Sequence, residues 1–126
     1  MSDFIYFNSR DELLRIDTTS VVYFEASGNY TKIVLKNGES GVVCFNLAKI
    51  EQTLNAALGV QAKRFARVGK SYIINMACIL RINPLKQELV LSNQKTFSFT
   101  ITASKEALRM LKDIIMEHKQ TKDKTQ

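Results

Sequence analysis

The chain has 126 residues, 45% of them hydrophobic, with a formal charge of +6 and a pI near 9.4. That is enough for one core and too little for two; no apolar run reaches the roughly 18 residues of a membrane span, and the opening MSDFIYFNSRDE lacks the basic and apolar regions of a secretory signal. A cytoplasmic protein is expected, with a basic surface suited to a polyanionic partner.

FIYF (4–7) and ELLRI (12–16) can form a leading pair of strands. VVYFEA (21–26) is strand-like, SGN (27–29) turn-like, and TKIVLK (31–36) alternates Thr31, Ile33 and Leu35 against Lys32, Val34 and Lys36, which makes a hairpin. Asn37-Gly38 then separates this strand from ESGVVCF (39–45); both residues tolerate positive φ, so a second hairpin and a three-stranded meander follow. In LAKIEQTLNAAL the residues Leu47, Ile50, Leu54 and Leu58 share one helical face, with Asn46 placed to cap the start and Gly59 to stop the end.

After the basic loop QAKR come short extended runs at ARV and SYII, then ILRI (79–82), a turn at Asn83-Pro84, ELVLS (88–92), a turn at Asn93-Gln94 and TFSFTI (96–101). The closing segment, from about Ser104 to Met116, sets Leu108, Leu111 and Ile115 on one stripe, and either Thr102 or Ser104 can cap it. The expectation is a mostly β domain of small antiparallel sheets with two helices, near 47–58 and 103–117, filling residues 1–119. HKQTKDKTQ lacks apolar residues, so 120–126 are expected to be a disordered tail. Cys44 and Cys78 lie in apolar runs (VVCF, ACIL) without a C-x-x-C or a histidine cluster, and are expected to be buried free thiols.

Gly69-Lys70-Ser71 has the last letters of a phosphate-binding P-loop, but the glycine that should stand five positions before the Gly-Lys pair is Arg64, and Ser71-Tyr72-Ile73-Ile74 suits a strand where a helix is required. The single histidine, His118, sits at the end of the last helix with no neighbour to orient it. Glu25 is the one carboxylate within a strongly apolar stretch; no second acid stands at a motif spacing, so it reads as a strand residue turned to solvent or paired with a lysine. No enzyme, cofactor or metal is expected.

What remains is a set of polar and cationic groups on turns and strand ends: Asn29, Tyr30 and Lys32; then Lys63, Arg64, Arg67, Lys70 and Ser71; then Thr102, Ser104 and Lys105. Such groups reach phosphates and groove edges. Their order is informative, because Y-F-E-A-x-x-N-Y, F-x-R-x-x-K-S-Y-x-I-N and a strand ending in a polar turn before a final helix resemble the LytTR family of bacterial DNA-binding domains, over about Leu14 to Ile115.

The resemblance implies three small antiparallel sheets side by side, and a transcription regulator that inserts loops into successive major grooves of double-stranded DNA. It implies that Asn29 contacts a base, that Tyr30 and Lys32 continue that loop into its strand, that Lys70 and Ser71 touch the phosphate backbone, and that Arg67 and Asn75 shape the middle loop. It also implies a pair of copies on repeated half-sites, and for stand-alone relatives sometimes a regulatory membrane protein. Many members carry a receiver domain ahead of this one; none fits before the signature here, so the chain is expected to be a stand-alone regulator or an excised fragment.

Two positions depart from the family pattern. Gly69 replaces the usual histidine, and Thr102-Ala103 replaces the usual Ser-Arg, so no guanidinium is available there for bidentate contact with a guanine; Lys105 is the nearest substitute charge. The rival expectation is a protein-interaction module whose exposed strands pair with a partner and whose charge serves solubility.

Overall fold

The computed structural model describes the backbone of residues 3–124 and side chains as far as residue 117. Phe4–Asn8 (β1) and Leu13–Asp17 (β2) pair as an antiparallel ribbon. Val21–Ser27 (β3), Tyr30–Leu35 (β4) and Ser40–Val43 (β5) form the meander expected around Asn37-Gly38. Gly38 has φ +88°, and Asn37 Oδ1 accepts the Glu39 N–H, which is the turn chemistry that this dipeptide supplies.

Helix α1 spans Leu47–Leu58, between the Asn46 cap, whose side chain accepts the Lys49 N–H, and Gly59 at φ +57°. Phe65–Val68 (β6) and Tyr72–Asn75 (β7) follow as a hairpin, then Ile79–Asn83 (β8), Glu88–Ser92 (β9) and Ser98–Thr102 (β10). The closing helix α2 runs Lys105–Lys124, longer than expected. The segment anticipated as a disordered tail thus overlaps helical backbone up to Lys124; residues 125 and 126, and the side chain of His118, lie outside what is described.

Among the described residues all pairings are antiparallel, in three sheets ordered β1-β2, β5-β4-β3-β7-β6 and β10-β9-β8. The five-stranded sheet stands between two cores. On one face, Phe24, Ile33 and Ile73 pack with Ile5 and Ile16 of the ribbon and with Leu47, Ile50 and Leu54 of α1. On the other, Tyr23, Val34, Val68 and Ile74 pack with Leu89, Leu91 and Ile101 of the three-stranded sheet and with Leu108 and Leu111 of α2. Val34 is therefore buried although its alternation with Ile33 suggests an outward residue. A register shift between Val21 and Tyr23 sends Val21 to the first core and both Val22 and Tyr23 to the second, which is why four successive residues, Val21 to Phe24, are all buried.

The cysteines divide. Cys78 is buried, and desolvation pushes its thiol up. Cys44 is exposed, contrary to expectation: Val43 faces the core, so the next residue along the extended chain faces out.

Candidate nucleic-acid interface

The end of the central sheet gathers most of the residues singled out above. β3 and β4 are joined by Gly28-Asn29, with Ser27 opposite Tyr30; Gly28 alone of the two central residues has positive φ, +62°, as in a type II′ hairpin turn. This leaves Asn29 exposed at the tip and Tyr30 half exposed beside it, with Lys32 exposed further along β4. The β6–β7 connection, Gly69-Lys70-Ser71, lies at the same end, because β7 pairs antiparallel with β3 and the Ala26 N–H donates to the Ser71 carbonyl at 2.8 Å.

Gly69 has φ +61°, and a Cβ built there would meet Ala107 at an unstrained 3.8 Å. The glycine is thus needed for its left-handed backbone, not for space. Lys70 and Ser71 are exposed, and together with Tyr72 they border an open cleft of about 440 Å³. Its far wall is Thr102 to Ser104, the joint between β10 and α2. That joint is tied by the Ala103 N–H to the Gln87 carbonyl at 3.2 Å, and by Ser104, whose Oγ accepts the Ala107 N–H at 3.1 Å. Ser104 caps the helix; Thr102 ends its strand opposite Glu88. Lys105 is exposed in the first turn of α2.

Four sequence candidates have other surroundings. Lys63 and Arg64 lie in the turn between α1 and β6, where Arg64 Nη2 donates to Thr18 Oγ1 at 2.5 Å and pairs with Asp3 at 3.6 Å. Arg67 alternates with Val68 to the opposite face of β6, where Nη1 binds Glu51 of α1, away from the cleft. Asn75 is 3% exposed; its Nδ2 donates to the Val21 carbonyl at 2.9 Å and its Oδ1 accepts the Ala77 N–H at 3.0 Å. It fastens the far end of β7 to the start of β3.

Glu25 is half buried and faces the same side as Tyr23, with Tyr72 OH donating to its Oε2 at 3.4 Å. Burial, with the Glu25 charge added, pushes the hydroxyls of Tyr72 and Tyr23 above their ordinary value. Lys32 is directly opposite but makes no ion pair with it. The pairing of Glu25 with a tyrosine across β3 and β7 was not legible from local spacing, because those strands are separated by α1.

A family model for the LytTr DNA-binding domain matches residues 11–116. The chain belongs to the LytTR family. Members of this family are DNA-binding domains of transcription regulators. Among solved structures, the LytTR chain is similar to the LytTr DNA-binding domain of a Bacillus cereus protein described as a methyl-accepting/DNA response regulator. The TM-score is 0.61 at 18% identity, covering 91% of this chain and 98% of that one, which shows the shared fold. No curated protein matches. The three antiparallel sheets with two helices are thus the LytTR arrangement.

Proposed function

We propose that this LytTR domain is a cytoplasmic bacterial transcription regulator that binds double-stranded DNA sequence-specifically, entering successive major grooves with loops. The observation that carries the reading is the meeting of three segments at one end of the molecule: the Gly28-Asn29 tip, the Gly69–Ser71 loop hydrogen-bonded beside it, and the Thr102–Lys105 joint across the cleft. Asn29 offers both a donor and an acceptor, which suits an adenine edge. Lys70 and Lys105 offer point charges to phosphates, and the Ser71, Thr102 and Ser104 hydroxyls offer short hydrogen-bonding groups. Arg67, held by Glu51, acts on loop shape through the β6 strand.

Two copies on repeated half-sites complete the proposal. Selection of bound fragments from random duplex DNA, followed by footprinting, tests it: an enriched motif with two protected segments about one helical turn apart is expected. Failure to enrich any motif defeats sequence specificity, and a single protected segment at saturating protein defeats pairing.

A further inference from the structure

Glu25 stands in a row that crosses the central sheet on one face. Its directly paired neighbours are Lys32 on β4 and Tyr72 on β7; Val42 lies beyond Lys32, and Val68 beyond Tyr72. The carboxylate is not needed to satisfy Tyr72, since a neutral amide would accept the same long 3.4 Å bond. Nor does it neutralise Lys32, with which it makes no ion pair. What remains distinctive is its charge, and where the strand puts it.

Glu25 and Lys32 each lie three residues behind the Gly28-Asn29 tip, about 10 Å at the usual rise of a strand. The major groove of B-DNA is about 8.5 Å deep. A tip seated at the groove floor therefore holds this pair level with the phosphate ridges, where Lys32 attracts and Glu25 repels. We propose that Glu25 sets the affinity of the interface, opposing the phosphates that Lys32 draws in and so holding down the sequence-independent part of binding. The inference rests on the DNA-binding reading above. Discrimination is a difference between two affinities, and a device that weakens generic binding widens it as much as a new base contact does. Tyr72 has a positioning part: its hydroxyl gives the carboxylate a hydrogen-bond partner on β7, while Lys32, directly opposite on β4, stays outside ion-pair distance yet close enough for the two charges to offset each other in part.

The test is binding of Glu25→Gln, Tyr72→Phe, Lys32→Ala and the Glu25→Gln/Lys32→Ala double variant to a selected and a scrambled duplex across a salt series, with thermal unfolding of each protein. Glu25→Gln is expected to tighten the scrambled duplex about fivefold at low salt, the effect of one unit charge near a phosphate in water. Its slope of log affinity against log salt should steepen by up to about one unit. Lys32→Ala should cost more in the Glu25→Gln background than alone, because the two groups are coupled. Tyr72→Phe keeps the charge and should never tighten generic binding.

A structural role predicts the opposite for Glu25→Gln, namely a lowered unfolding temperature and weaker binding to both duplexes, and that result overturns the proposal. Should that variant not fold, Glu25→Thr, a good strand former, carries the same expectation and the same refutation. If the unaltered protein binds no duplex at all, the DNA-binding reading fails and takes this inference with it. If it binds and Glu25→Gln does not tighten the scrambled duplex, only the present inference fails.

Discussion

Replacing Asn75 by alanine removes two hydrogen bonds from a residue that is 3% exposed: the donation to the Val21 carbonyl at 2.9 Å and the acceptance from Ala77 at 3.0 Å. Each bond contributes roughly 1 kcal/mol net, and a carbonyl left without its donor in a buried setting costs about 1–3 kcal/mol more. The two ends differ, since the Ala77 side reaches water and the Val21 side does not. The loss should therefore be roughly 2–4 kcal/mol, or on the order of 10 °C in Tm for a domain of this size. Asn75→Asp separates the two bonds. It keeps the acceptor for Ala77 but turns a carboxylate oxygen toward the Val21 carbonyl, so at neutral pH it should be at least as damaging as alanine. Urea unfolding followed by circular dichroism measures both variants. A stability for Asn75→Ala within about 0.5 kcal/mol of the unaltered protein, or an aspartate that is tolerated, would show that the pair of bonds does not fasten β7 to β3.

Lys70→Ala should weaken binding to every duplex alike and make the log affinity–log salt slope shallower by about one unit, read in a salt titration on selected and scrambled DNA. Asn29→Ala should cost roughly 1–3 kcal/mol on the selected site and much less on the scrambled one; equal losses on both would remove its base-reading role. Gly69→Ala should destabilise by about 1–2 kcal/mol through its left-handed backbone alone, since the added methyl finds room; unchanged urea stability would refute the strain. Hydrogen bonds from Thr19 hold the Asp17 carboxyl below its ordinary value, so its contribution is present above about pH 3.8 and is lost as pH falls through the lower folded value. Asp17→Asn should thus be less stable than the unaltered protein at pH 7, with the two converging in strong acid. A gap that stays constant with pH would contradict this assignment.

The elements with local punctuation were readable from the residues. α1 begins and ends where Asn46 and Gly59 place it, and the β4–β5 hairpin follows from Asn37-Gly38, because caps and tight turns are decided within a few residues. The joining of the β6–β7 hairpin to β3 was not readable: it pairs Tyr72 with Glu25 across an intervening helix, and no short-range pattern encodes a contact at that separation. The same limit hid the Arg67–Glu51 bond, in which each partner by itself reads as an ordinary solvated charge. For Cys44 the difference is one of period. An apolar run reads as buried throughout, whereas β5 covers only one of its faces, and Val42 and Cys44 both point outward. In the candidate interface, the motif residues located the loops, and the sheet topology brought those loops to one end.

β3 is walled by a core on each side, and its middle residues Val22 and Phe24 are fully enclosed. Strands of this kind give up their amide protons to solvent only when the whole molecule opens, so β3 belongs to the last part of the fold to exchange. The Gly28-Asn29 turn grows directly from that strand, and the Gly69–Ser71 loop is moored to it at Ala26. Both loops thus inherit the rigidity of the slowest-exchanging segment, although they lie at the surface. The entropy of holding them in place is spent when the chain folds, which leaves less ordering to be done when a partner arrives.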